Sequence, residues 1–349
     1  MSDTTVPTDD PTGDPTSNQA TPGTSVTEDS APATAKKFRR RGVVTMWLAV
    51  VWLVFLVFTA IGASWLPYVN HSCDQFADEA QCITHIDTNA LLSERPPVWA
   101  TFSDTTRPVV RDAAERAGLF GTDTNGFDIF SRTMFGARYS LLIGALSIVF
   151  GILIGGTLGL VAGYVGRRVD RVIDSIMNIF LAFPALLLVI FIVGFFSDSG
   201  TTEAKSRSIV PIIFALVILS IPPIARLVRA NTIVYAQREF VTAARSLGAR
   251  NSRIITREIL PNVFPAMVTF AITGMAILIV AEGALAYLGL SVSAPNPTWG
   301  AMIFGGQSRL ETAWWMSIMP SAVMFLTVLS INLLGDALTE RFRIREAIG

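Results

Sequence analysis

The chain reads as an all-α integral membrane protein, and three observations predict that class. Hydrophobic residues make up 51% of the 349 positions and charged residues only 15%, against about a quarter charged in an average soluble domain. Six charge-free apolar windows occur, at Val43–Leu66, Tyr139–Gly166, Ile176–Ser197, Ser208–Ala225, Leu260–Ala281 and Thr312–Gly335. Each is near the ~20 residues that a helix needs to cross a ~30 Å hydrocarbon core. The windows are continuous rather than alternating, which separates them from the strands of a membrane β-barrel. Lipid offers the backbone no hydrogen-bond partners, so each window must satisfy itself as a helix. A six-helix bundle is expected.

Residues 1–42 are a polar tail rich in Ser, Thr, Pro, Asp and Gly, ending in the basic cluster Lys36, Lys37, Arg39, Arg40 and Arg41. Its composition predicts disorder. The first window, residues 43–66, is longer than a signal-peptide core and is expected to stay as a helix. With 27 basic and 27 acidic residues the net charge is zero, so bulk charge points to no acidic partner and no nucleic acid. The distribution is lopsided. Placing the amino terminus in the cytoplasm puts 18 of the 27 basic residues inside, and the positive-inside rule then predicts that both termini are cytoplasmic. The basic tail at 339–349 agrees.

Residues 67–138 form the expected extracytoplasmic loop. It holds both cysteines and both histidines, as His71-x-Cys73 and Cys82-x-x-His85. Two Cys and two His are a zinc ligand set, free thiols are a second reading, and a Cys73–Cys82 disulfide is favoured because paired cysteines oxidise outside the cytoplasm. Near the end of the loop, Phe127, Phe130, Met134 and Phe135 share a face, which predicts a short interfacial helix.

Residues 139–338 are the expected core of five membrane helices. Gly151, Gly155, Gly159 and Gly163 recur every four residues, with Gly156 beside them, and this small-residue spacing predicts close helix packing. Pro222-Pro223 predicts a kink in the fourth helix. Residues 230–262 carry a charged segment between two spans. There Ala243 and Ala244 sit among helix formers, Gly248 permits a bend, and Leu260-Pro261 leads into the next apolar run. Two short helices hinged at Gly248 are expected. Glu282 falls near the outer boundary of its span, about 28 Å from the inner end at ~1.5 Å per residue, where water is within reach and a structural hydrogen bond between helices is the favoured role. An ionisable group in such a place is a functional candidate by default. No Gly-x4-Gly-Lys-Ser/Thr loop exists, so ATP binding by this chain is not expected. No intramembrane His, Cys or carboxylate pair suggests a catalytic or metal site.

Several motifs resemble those of ABC importer permeases of the dipeptide and oligopeptide class, second-permease type. Gly121-Thr122-Asp123, Gly126, Asp128, Ser131, Arg132, Gly136, Arg138 and Ser140 match that family's outer-surface signature, with Phe127 standing where Arg is usual. Gly163-Tyr-Val-Gly166 and Asp170 match its turn after the second helix, with Arg167 replacing a second Gly. Leu181-Ala-Phe-Pro184 matches the third helix, with Asn178 replacing a common Asp. Leu288-Gly-Leu290 and Pro297-Thr-Trp299-Gly300 match the fifth helix and the loop beyond it. The segment with Glu239, Thr242, Ala243, Ala244, Gly248, Leu260 and Pro261 resembles the loop that engages the ATPase subunits, with Thr242 where Glu is frequent and Glu258 where an aliphatic is common. The resemblance covers roughly residues 119–338 and implies a type I importer permease in the cell membrane. Implied partners are a homologous second permease, two cytoplasmic ATPase subunits that hold ATP and Mg, an extracytoplasmic solute-binding protein and a peptide substrate. Glu282, Trp299 and Gly300 are then candidates for the external gate or for binding-protein contact. Nickel or another small solute is the alternative cargo. An ion-driven transporter predicts ionisable residues at mid-membrane, and the central thirds of the windows have none.

Overall fold

The computed structural model describes residues 33–63, 93–97, 99, 118–197, 209–292 and 296–348. The polar tail before residue 33 and the positions His71, Cys73, Cys82 and His85 lie outside the described residues. The compact unit that holds the bundle is Val43–Gly349.

Helix α1 covers Ala33–Gly62. Helix α2, Ile129–Gly151, passes through a π-turn at Ile152–Gly156 into α3, Thr157–Val165. Next come α4, Arg167–Ala182, and α5, Ala185–Ser197, followed by α6, Ile209–Ala236. The short α7 is Glu239–Ser246. A helical turn α8, Asn251–Arg253, and a π-turn Ile254–Ile259 run into α9, Leu260–Tyr287. Helix α10 is Trp299–Gly306 and α11 is Trp315–Ile348.

Five of the six expected spans are continuous and the third is broken. Helices α4 and α5 meet at 88°, so the window Ile176–Ser197 is two helices rather than one. Pro184 forces this break. A proline clashes with a helical residue before it, and Phe183 accordingly lies extended at φ −82°, ψ 136°. Pro222 and Pro223, by contrast, sit inside an unbroken α6. The expected interfacial helix is not a separate element either. Its residues are the first turns of α2, which begins ten positions before the apolar window and joins α3 in one span of 37 residues. At ~1.5 Å per residue such a span is about 55 Å long, well beyond a ~30 Å hydrocarbon core. Asn251–Tyr287 has the same length. These two spans carry their ends clear of the apolar layer, and the ends are where the candidate residues lie.

The glycine row on α2 and α3 packs against α6. A Cβ added at Gly155 would come within 2.7 Å of the Ile221 carbonyl oxygen, one at Gly159 within 2.5 Å of the Ala225 oxygen, and one at Gly163 within 2.7 Å of Thr232 Cβ. Steps of four residues drift about 40° each around an ideal helix. The π-turn takes up an additional residue and offsets part of that drift, which keeps the row on one face.

Candidate functional site

The candidate residues gather at two opposite ends of the bundle, one formed around Gly121–Ser140 and the other around Glu239–Pro261.

At the first end, Asp128 caps α2. Its carboxylate accepts from the backbone N–H of Phe130 at 3.3 Å and of Ser131 at 3.0 Å, and also from the Ser131 hydroxyl. The helix start leaves such N–H groups without intrahelical partners. The preceding turn closes on Asp123, whose Oδ1 accepts from the N–H of Asn125 at 2.8 Å and of Phe127 at 3.0 Å. Gly121 is left-handed at φ +77° and its carbonyl accepts from the Ile129 N–H. Gly126 is left-handed as well. Burial pushes the Asp123 carboxyl above its ordinary range, offset in part by the Phe127 N–H bond and by Arg132. Arg132 lies 3.8 Å from Asp123 and stacks over Phe127 at 4.3 Å, so Phe127, the position that departs from the family signature, is used as a cation–π platform.

Two tryptophans bind this turn to the far end of the chain. Trp315 donates to the Thr122 carbonyl at 3.2 Å. Trp299 is fully buried, its indole N–H donates to the Thr133 carbonyl at 2.9 Å, and its backbone N–H donates to Ser140 Oγ at 3.2 Å. Gly136 leaves room for this ring, because a Cβ there would come within 3.3 Å of Trp299 Cδ1. Arg138 reaches the C-terminus of α1, donating to the carbonyls of Ala60 at 2.9 Å and Ile61 at 3.0 Å. Lysines and arginines commonly satisfy last-turn carbonyls in this way.

Glu282 is 1% exposed, so it is an interior, hydrogen-bonded group rather than a wet one at the edge of its span. It accepts from the Ser291 hydroxyl at 2.8 Å, and Ser291 in turn lies 3.1 Å from the Thr298 hydroxyl, which caps α10. Gly300 packs on Gly283, where a Cβ would come within 2.7 Å of the Gly283 Cα. Glu282, Trp299 and Gly300 are therefore interior residues in this conformation and offer no exposed surface for a protein contact. The sequence signal for Trp299 lay in its family motif. Its bonds to Thr133 and Ser140, 166 and 159 positions away, had none.

At the other end, α7 is a two-turn helix with Thr242, Ala243, Arg245, Ser246 and Leu247 exposed and Val241 buried. Leu247 is 89% exposed. The helix stops at Gly248, left-handed at φ +77°. The Gly248 N–H donates to the Arg245 carbonyl at 3.0 Å and the Ala249 N–H to the Ala244 carbonyl at 3.1 Å, the paired bonds of a Schellman cap. Ala244 and Ala249 pack against the core below. Gly248 is thus a cap that holds a turn, where a hinge was expected. The same cap closes the opposite end of α9 at Leu288-Gly289-Leu290, with Leu290 N–H to Leu285 O at 2.9 Å. The expected second short helix is instead the start of the long span, and Pro261 falls at its N-terminal side after the π-turn, so Leu260 and Pro261 continue a helix rather than restart one.

The segment is tied to its surroundings from its inner face. Ile254 and Ile259 are buried, Tyr164 donates to Asn251 at 3.0 Å, and Arg245 lies over the Tyr164 ring at 5.7 Å. Beside it, Arg229 binds Asp170 through both carboxylate oxygens. Arg167 keeps a left-handed φ of +49° where the family pattern has glycine. Asn178 accepts from Arg226 and donates to Asp174 at 3.1 Å, so the acidic group that its own side chain lacks stands one helical turn earlier.

Comparison with known proteins gives this geometry its setting. The family model described as binding-protein-dependent transport system inner membrane component matches residues 151–344. The chain is 39% identical over 231 residues to the glutathione transport system permease protein GsiD of Pectobacterium atrosepticum, covering 66% of this chain and 74% of that protein. It is 33% identical over 291 residues to the di/tripeptide transport system permease protein DppC of Pseudomonas aeruginosa, covering 83% and 85%. Its fold is similar to a chain of the MetNI methionine ABC transporter in inward facing conformations, with a TM-score of 0.50 at 20% identity over 61% of this chain and 95% of that one. One family covers more than half of the chain and a relative shares a third of its positions across most of both lengths, so the chain belongs to the inner membrane components of binding-protein-dependent transport systems, multi-pass permeases of the cytoplasmic membrane.

Proposed function

We propose that this chain is one of a pair of permease subunits that import di- or oligopeptides, driven by two ATPase subunits that dock on the Glu239–Pro261 segment. The observation that carries the docking role is the exposed α7 with Leu247 at its tip, 89% exposed and held in shape by the Gly248 cap. Covering an apolar side chain so placed, at the end of a capped turn, with a partner's pocket removes its surface from water and favours docking by about 1.5–3 kcal/mol. The small Ala243 and Thr242 beside it allow close approach. The peptide cargo is supported by the names of the relatives, a glutathione permease and a di/tripeptide permease. The chain has no phosphate-binding loop, so ATP and Mg belong to the docked subunits. Both termini and the docking segment face the cytoplasm in this reading, where those subunits reside.

Nucleotide-driven closure of the ATPase pair presses on α7 and moves the long α9, which runs from the docking segment to the Glu282 region. The Glu282, Trp299 and Gly300 cluster serves as the outer gate, in keeping with its burial. The binding protein then rests on other surface at that end.

The test is to purify the complete transporter with Leu247→Asp or Gly248→Trp in this chain. ATPase association and peptide-stimulated ATP hydrolysis fall by about tenfold or more if a central apolar anchor is lost, while thermal unfolding of the permease changes little. Unchanged association and hydrolysis in both variants would overturn the docking role.

A further inference from the structure

Among the described residues lies a cavity that the transport reading leaves unused. It lies on the flank of the bundle between α1, α2, α9 and α11, with a volume of about 470 Å³, and its walls include Leu53, Val57, Leu141, Ala145, Met275 and Leu334. That volume is in the roughly 300–1,000 Å³ range of small-molecule sites. The lining is apolar with one exception, Arg138.

Arg138 stands at the end of the groove where α1 stops. A guanidinium has five N–H donors, and the described partners of this one are the Ala60 and Ile61 carbonyls. The ring of Phe135 lies 5.9 Å from it. Among the described residues no carboxylate forms an ion pair with it. A charge held at the edge of hydrocarbon by backbone carbonyls, with donors left over, favours an anion. An apolar groove between membrane spans favours an acyl chain, and Trp52, which donates to Thr327 at 3.2 Å, ties α1 to α11 along one side of it.

We propose that this groove is a site for one anionic phospholipid, with an acyl chain between α1 and α9 and the headgroup phosphate on Arg138. The lipid comes from the leaflet at the Gly121–Ser140 end. Bound there, it completes the seam between α1 and the rest of the bundle.

The complete transporter, purified in mild detergent and exposed to phosphatidylglycerol or phosphatidylcholine vesicles, tests this by native mass spectrometry of retained lipid. The wild type retains phosphatidylglycerol over phosphatidylcholine. Arg138→Gln loses the preference by about tenfold, the size of one lost hydrogen bond to a charged group, and Arg138→Lys keeps part of it. Ala145→Trp fills the groove, leaves the α1 cap intact and retains neither lipid, which keeps the test informative if Arg138→Gln does not fold. Equal retention of the two lipids by the wild type overturns the proposal. So does undiminished retention by Ala145→Trp, and so does efficient cross-linking of a cysteine at Val57 to the second permease subunit, which would make the groove a protein interface.

Discussion

The two ends of the bundle use similar devices to opposite effect. Both have glycines at positive φ, at Gly121 and Gly126 on one side and at Gly166 and Gly248 on the other. At the Gly121–Ser140 end the turns are folded inward: Thr122, Ser131 and Ser140 are fully buried and tryptophans close over them. At the Glu239–Pro261 end the turn projects outward, with nothing within 4 Å of where a Gly248 Cβ would stand. The difference separates two reasons for a residue to matter. In the first region a side chain is fixed by what surrounds it inside this chain. In the second it is free of such constraint, and its identity answers to a partner.

The largest effect that would break this contrast is at Trp299. Trp299→Ala should cost about 3–5 kcal/mol of stability, as expected for a large aromatic removed from a packed interior, and should leave the Thr133 carbonyl short of a donor. Thermal unfolding of the purified permease measures it. A loss no larger than that of an exposed residue would mean the region is not packed as described.

Gly248 gives an intermediate effect of a distinctive kind. Gly248→Ala should cost about 1 kcal/mol from left-handed backbone strain, and Gly248→Trp nearly the same, because the added atoms meet open space. A cost that rises with side-chain size in the isolated permease would show that the turn is enclosed. In the assembled transporter the dependence on size should appear, and that is the sign of a docked surface.

The smallest effect is electrostatic and belongs to Asp123. Its folded-state pKa is raised by burial, so the folded form binds the proton more tightly than the unfolded one, and stability falls as pH rises from the ordinary carboxylate range through the raised value. Asp123→Asn retains the acceptor oxygen for the Asn125 and Phe127 N–H groups and removes the buried charge. The melting temperature of the variant minus that of the wild type should therefore increase from pH 4 to pH 7. A difference that is flat or declines with pH would mean that Arg132 outweighs burial.

The number of spans, their approximate places and the packing glycines were legible in the sequence, because hydrophobic length and four-residue spacing are local properties. The break at Phe183-Pro184 was legible as a motif and missed as a structural event. Proline's effect depends on whether neighbours can satisfy the freed carbonyls, and Pro222-Pro223 stayed helical while Pro184 did not. The start of α2 was placed ten positions late, since polar residues such as Asp128 and Arg132 hide a helix from any scan for apolar runs. A bend at Gly248 was legible from the glycine, but its form as a cap depends on hydrogen bonds to Arg245 and Ala244 that spacing alone does not distinguish from a hinge.

By itself, the sequence determined that this protein spans a membrane as helices, since its long continuous apolar windows must satisfy their own N–H and C=O groups in lipid. Only the tertiary structure decided which polar residues are interior. Glu282 is dry because Ser291, Thr298 and Gly300 fold back over it, and Trp299 is anchored because Gly136 and Ser140 make room for it. Burial is a property of what packs against a residue: the cover of Glu282 comes from the loop that follows its own helix, and that of Trp299 from a segment 159 positions away.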